Sequence, residues 1–207
     1  MNKKLLVLRA STDIPDRAIY NIFCHAEDYD IDATHKDVKT IDELIETIKN
    51  GEKYDYLYFA AHGNAVGFGD NNSFILSWEQ IGALICESNC LNKNAIIMLY
   101  CCRGGLNQVA YQLIAACPNV QYVCGARQDM TNIDLTIGFN VFMYNIECRN
   151  IDPVLAAKRA TKATEIRFQC FDRLEVEAEP MYYYNYCPNC VRAGQIYPTN
   201  DNPIRVP

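Results

Sequence analysis

The sequence lacks long hydrophobic runs: no apolar stretch approaches the ~20 residues of a membrane-spanning helix, so no helical membrane span is expected. It also lacks any block of lysine and arginine. With 19 basic against 25 acidic residues and a formal net charge of −6, the chain is a poor match for nucleic acid or an anionic membrane surface. The first residues include Lys3 and Lys4, but the apolar stretch that follows breaks at Arg9, too soon for a secretory h-region. Internal repeats and low-complexity linkers are missing, and the 207 residues fit one domain able to bury a full core.

Cysteine, by contrast, is abundant, at 11 residues. The count is odd, no signal peptide accompanies it, and several cysteines sit inside apolar runs. A reducing cytoplasm fits this usage better than a disulfide framework, with most thiols acting as small buried hydrophobes. Cys187-Pro188-Asn189-Cys190 is a single C-x-x-C without the second knuckle of a zinc ribbon. Free thiols are the plain reading there and a structural zinc the alternative.

Apolar patterning predicts alternating strands and helices. Strands are expected at Lys4 to Arg9, Tyr54 to Ala61, Ala95 to Cys101 and Val120 to Gly125. Helices are expected from Ile14 to Glu27, Thr40 to Asn50, Ser77 to Ser88 (with Gln80 completing a capping box), Gly105 to Cys117, Asp134 to Cys148 and Asp152 to about Phe168. Asp28 to Thr40 reads as loop plus a short edge strand, and the glycine-rich stretch Gly63 to Asn72 as a flexible loop. Residues 181–186 are rich in strand formers, and Pro198 to Pro207 looks irregular. This pattern predicts an α/β fold in three layers, a mostly parallel central sheet with helices on both faces. The core would occupy residues 1–165, and 166–207 would form a C-terminal extension.

Two strands carry the chemistry. Tyr54 to Ala61 runs into His62-Gly63, and Ala95 to Tyr100 runs into Cys101-Cys102-Arg103-Gly104-Gly105. Reacting groups gather beyond the carboxyl ends of parallel strands, so neighbouring strands would bring an imidazole and a thiol together. A free thiol is only a few per cent thiolate at neutral pH and needs a base to attack a carbonyl. His62 can take that proton and return it to a leaving amine. Gly63 and Gly104 let a substrate backbone come close, and their amides are candidate oxyanion donors. The helix expected from Gly105 would favour a thiolate at its start. Cys101 should face the other side of the strand from Cys102 and pack. His25 and His35 read as surface histidines. Asp129 and Asp134 are candidate substrate-pocket acids, equally at home as loop or cap carboxylates. Arg9, at the end of the first strand, is a candidate reader of an acidic substrate residue, with a strand-end arginine facing water as the plainer view.

Tyr100-Cys101-Cys102-Arg103-Gly104 resembles the Q-A-C-R-G signature of caspases, the D-C-C-H-S-G of metacaspases and the S-A-C-x-T/S-G of CHAT peptidases. In each alignment Cys102 takes the nucleophile's place, and His62-Gly63 resembles the family's H-G. Val120 to Ala126, Asp134 to Asn145 and the helix opening at Asp152-Pro153 are similar to later CHAT segments, so the likeness covers about residues 1–165. The chain departs at Tyr100, where relatives carry Gln, Asp or Ser. It departs again at Arg127-Gln128-Asp129-Met130, where W-P-V-D is usual, and in its last forty residues. The resemblance implies a caspase-like cysteine endopeptidase, closest to bacterial CHAT and prokaryotic caspase-like proteases. It would act on a protein substrate through Cys102 and His62 without metal or organic cofactor. The segments Gly63 to Asn72 and Gly125 to Ile133, which flank the site and carry no apolar pattern to pin them, suggest control by a regulatory partner or a homodimer, and the resemblance suggests a bacterial defence or cell-death setting. A basic or uncharged residue before the cut bond is expected from the CHAT likeness. The alternatives are a catalytically silent caspase-like adaptor and, further off, a small-molecule hydrolase or a flavodoxin-like binding module.

Overall fold

The computed structural model describes residues 2–70, 72–178, 182–183 and 204–205. In chain order its elements are β1 (Lys4–Arg9), α1 (Asp16–Asp28), β2 (Asp32–Asp37), α2 (Ile41–Ile48), β3 (Tyr54–Ala60), β4 (His62–Gly63), β5 (Gly67–Gly69), β6 (Ile75–Ser77), α3 (Trp78–Ser88) and β7 (Leu91–Tyr100). There follow α4 (Asn107–Ala116), β8 (Val120–Ala126), α5 (Asn132–Glu147), α6 (Pro153–Thr164), β9 (Phe168–Asp172), α7 (Arg173–Ala178), β10 (Tyr182–Tyr183) and β11 (Ile204–Arg205). The chain divides into two compact units, Met1–Arg173 and Leu174–Pro207. In the second, β10 and β11 form an antiparallel pair. Cys187 and Cys190, and most of the segments read as strand-rich or irregular near the C-terminus, lie outside the described residues.

The first unit is built on a six-stranded sheet of order β2-β1-β3-β7-β8-β9, parallel except for β9. Its central strands are continuous apolar runs because both faces are covered. Alternation sorts their side chains. Leu5, Val7, Tyr56, Tyr58, Ala60, Met98 and Tyr100 pack in one core with residues of α1, α5 and α6. Their sequence neighbours, such as Leu6, Phe59, Ile97 and Leu99, are equally buried on the opposite face, the side of α2, α3 and α4. Each fully buried Leu or Phe contributes about 1.5–3 kcal/mol by leaving water. The expected three-layer α/β arrangement, with helices on both faces of a mostly parallel sheet, is the one observed. No helix among the described residues is long and apolar enough to cross a membrane.

Three local departures matter. The stretch Gly63 to Asn72, read as a flexible loop, instead supplies Gly63 of β4 and all of β5 to a three-stranded antiparallel sheet completed by β6. Phe68 is its anchor: it is buried, its ring 5.1 Å from Phe59 and 5.9 Å from Trp78, and the Trp78 indole donates to the Asn64 carbonyl at 2.9 Å. Ala65, Phe74 and Leu76 are buried with it. The second departure is at the end of α6. That helix stops at Thr164, with Glu165 in the left-handed region at φ 59°, and the chain returns as edge strand β9 with Phe168 and Cys170 buried. The compact unit therefore runs to Arg173, past the residue 165 expected for the core. Third, α5 starts at Asn132 rather than Asp134, because Thr131 caps it and Asp134 completes the capping box.

Candidate active site

Strand register brings the two chemical residues level. On β3 and β7, Phe59 lies opposite Leu99 and Ala60 opposite Tyr100, and the Ala61 amide still reaches the Tyr100 carbonyl at 3.3 Å. His62 and Cys102 each follow this matched pair by two residues. By alternation both continue the face of Tyr58, Ala60, Met98 and Tyr100, toward α1 and α5. Cys101 continues the other face and is buried, and that burial pushes its thiol well above the usual range. Cys102 is half-buried and His62 exposed. The two segments touch at Gly63: a Cβ there would lie 2.7 Å from the Cys101 sulfur and 2.9 Å from the Cys102 carbonyl oxygen. Gly63 is thus required by packing against the cysteine turn, a role the sequence reading did not give it.

The cysteine turn is clasped to the segment after β8 by backbone. The Cys102 sulfur accepts from the Met130 amide at 3.3 Å and lies 3.7 Å from the Met130 carbonyl. The Arg103 amide donates to the Gln128 carbonyl at 3.2 Å, and the Gly105 amide to the Ala126 carbonyl at 2.8 Å. Arg103 sits in the left-handed region at φ 59°, uncommon for a side chain of its size. Gly105 has no room for a side chain, since a Cβ would stand 2.2 Å from the Gly125 carbonyl oxygen. Helix α4 begins at Asn107, later than expected, and the amide facing the Cys102 sulfur belongs instead to the residue just ahead of the α5 cap. The Gly104 amide hydrogen-bonds the Cys101 sulfur.

The histidine is held by side chains. Its Nε2 lies 3.3 Å from the Asp13 carboxylate, on the short connection after β1. Asp70, buried beneath, accepts from the Ser11 hydroxyl at 2.6 Å and from the Asn72 amide at 2.8 Å. These two donors, with the nearby His62, hold the Asp70 carboxyl below its usual range. Ser11 in turn accepts from the Asp13 amide at 3.2 Å. Asp13, His62 and Asp70 each offer one ligand atom, all within 4.8 Å of one another. A cation could be held there among the described residues, sharing the Asp13 carboxylate that lies against His62. The sequence reading missed Ser11, Asp13, Asp70 and Met130. The available signal for Asp13 was topological, because it follows the strand that pairs with β3.

The remaining sequence candidates each have a partner within the chain. Arg9 is ion-paired to Asp37, at 2.6 and 2.7 Å, and to Asp16, and donates to the Ile14 carbonyl at 3.2 Å. Arg9 in turn holds the Asp37 carboxyl low. The arginine expected to face water is in fact spent on two carboxylates. Asp134 accepts from the Thr131 hydroxyl at 2.6 Å and from the Thr131 amide at 3.2 Å. Asp129 forms a two-pronged pair with Arg103, Nε to Oδ1 at 2.8 Å and a terminal nitrogen to Oδ2 at 2.9 Å. His25 lies in the last turn of α1, 3.8 Å from Asp28. His35, read as part of a polar loop, is half-buried on edge strand β2, 3.1 Å from Asp37.

Solved structures share this architecture at low identity. An inactive zymogen of a C11 protease from Parabacteroides distasonis superposes with a TM-score of 0.59 and 10% identity, covering 84% of this chain and 63% of that one. The Arg-specific cysteine proteinase gingipain R of Porphyromonas gingivalis gives 0.50 and 12%, covering 82% of this chain and 46% of its own. Separase of Saccharomyces cerevisiae, solved with securin, gives 0.53 and 12%, covering 83% of this chain and 12% of separase. The chain thus spans less than two thirds of each. These are caspase-like cysteine peptidase folds, and this chain has that fold. No family model matches the sequence, and no curated protein matches it.

Proposed function

We propose that the chain is a cysteine endopeptidase with Cys102 as nucleophile and His62 as general base and acid. The observation that supports this reading is the β3–β7 register, with Ala60 opposite Tyr100 and His62 and Cys102 each following two residues on, while Cys101 is buried. With Nε2–H donating to Asp13, Nδ1 of His62 is the nitrogen left to take the thiol proton. The thiolate attacks the peptide carbonyl, and the imidazolium returns the proton to the leaving amine. Water then hydrolyses the thioester with His62 as base. The Met130 amide stabilises negative charge on the sulfur before attack. Of the two glycines considered as oxyanion donors, Gly63 is favoured, since the Gly104 amide serves Cys101. In the state described, the sulfur rests on the Met130 backbone, so turnover includes a rotation of the Cys102 side chain toward His62.

The test combines labelling and turnover. A cysteine-reactive peptide ketone should modify Cys102 ahead of every other thiol. Cys102→Ala and His62→Ala should each remove proteolysis, by at least ~10³-fold, with melting temperatures kept, while Cys101→Ala retains most activity. Activity surviving in Cys102→Ala would sink the assignment. A well-folded chain that neither labels nor cleaves, yet binds a protein partner through this cleft, would make it an adaptor.

A further inference from the structure

The pair between Arg103 and Asp129 lies beside the proposed nucleophile. Arg103 directly follows Cys102, and Asp129 directly precedes Met130, whose amide and carbonyl face the Cys102 sulfur. The carboxylate is therefore one residue from the group that touches the reacting atom. A two-pronged guanidinium–carboxylate pair is the geometry by which a protein recognises an arginine side chain. Here the recognised arginine is the chain's own. Its backbone is fixed by the left-handed conformation and by the bond to Gln128, so the guanidinium is delivered to Asp129 by the same turn that presents the thiol.

We infer that Arg103 is a resident occupant of a specificity site at Asp129, standing where a basic substrate side chain would bind and setting how strongly the cleft discriminates for such a side chain. This deepens the peptidase reading and rests on it for the placement of substrate. The Asp129 side chain is 67% exposed and that of Arg103 17% exposed, so water reaches the carboxylate and the pair exchanges rather than locks. A substrate arginine or lysine has to displace Arg103, whereas an uncharged side chain does not. The chain therefore has the acid for basic specificity but expresses it only in part.

The experiment is binding, which requires no chemistry. In the 207-residue chain with Cys102→Ala, two peptides differing only in arginine or norleucine before the scissile bond are titrated calorimetrically. The readout is the ratio of their dissociation constants. Adding Arg103→Gln should shift the ratio about fivefold toward the arginine peptide, the scale of an exposed ion pair. Arg103→Lys should shift it less. Asp129→Asn should move the ratio the other way, because Arg103 then repels the incoming cation. An unmoved ratio in Arg103→Gln, equal weakening of both peptides, or binding of neither peptide overturns the proposal. Failure of the peptidase reading shows separately, as absent cleavage by the unaltered chain of peptides it binds.

Discussion

The two halves of the candidate site are built differently. The cysteine half is a turn locked by backbone: amides of Arg103, Gly105 and Met130 are each committed, and Gly105 is packed so close to Gly125 that no side chain fits. The histidine half is a short antiparallel sheet with Phe68, Phe74 and Leu76 buried, and its imidazole lies 3.3 Å from the Asp13 carboxylate on the connection after β1, with Asp70 of its own sheet close by. A nucleophile has to sit at a fixed depth against the oxyanion donors, which a rigid turn provides. A base has to reach the thiol, the leaving group and later a water, which a side chain on an exposed strand can do. The contrast predicts that damage to the cysteine half is felt as lost stability, and damage to the exposed His62–Asp13 pair as lost rate, while the buried Ser11–Asp70 contact beside that pair contributes mainly to stability.

The strongest test of the rigid half is Gly105→Ala. The added Cβ would meet the Gly125 carbonyl oxygen at 2.2 Å and its carbon at 2.7 Å, and both are backbone within β8. Neither can turn away as a side chain could, so β7 and β8 must part or the turn must distort. The expected cost is about 3 kcal/mol, read as a large fall in denaturant midpoint with the slope unchanged. A variant as stable as the parent would show that the turn is pliant and that the cysteine half is no more rigid than the histidine half.

The complementary test is Asp13→Asn, which removes a charge from the histidine half and keeps its shape. Both partners are largely exposed, the side chains of His62 and Asp13 at 60% and 66%. The pair is screened and worth at most ~1 kcal/mol. A fall in kcat of about fivefold is therefore expected, far short of the ~10⁴-fold seen when a buried carboxylate behind a catalytic histidine is neutralised. KM and melting temperature should hold, and Asp13→Glu should recover part of the rate. A matching loss of stability would make Asp13 a structural residue.

The same division explains what could be read in the sequence. The cysteine half was legible because its determinants are contiguous: an apolar strand, two cysteines and two glycines follow one another from Ala95 to Gly105, and side-chain alternation separates Cys101 from Cys102. The sheet with its two helical layers was legible for the same reason, each element carrying its own period. The histidine half was not. Ser11, Asp13 and Asp70 are ordinary loop polars until the strand order places β1 beside β3, and no local pattern announces that neighbour. Strand β9 was hidden in a run whose apolar content also suits a helix end. Arg9 and Asp134 were visible as charges, but their partners Asp37, Asp16 and Thr131 were not, and a charge read without its partner looks available for substrate.

The smallest expected effect is the most specific to the histidine half. Ser11→Ala deletes the hydroxyl that donates to Asp70 at 2.6 Å, inside a buried contact. That hydrogen bond favours the ionised carboxyl and is the largest of the causes holding Asp70 below its usual range. A carboxyl whose folded value is depressed stabilises the protein above its unfolded value, near 4, and loses that contribution as pH falls through the folded value. The variant should therefore melt a few degrees lower than the parent at neutral pH. The gap should close on acidification below about pH 4, where Asp70 takes up its proton. Activity should fall by less than in Asp13→Asn, since Ser11 does not touch His62 and acts on it only through Asp70 and through the Asp13 amide it accepts from. A melting difference that stays constant from pH 7 to pH 3 would show that Ser11 acts by packing alone, and would remove Asp70 from the group that steers the histidine.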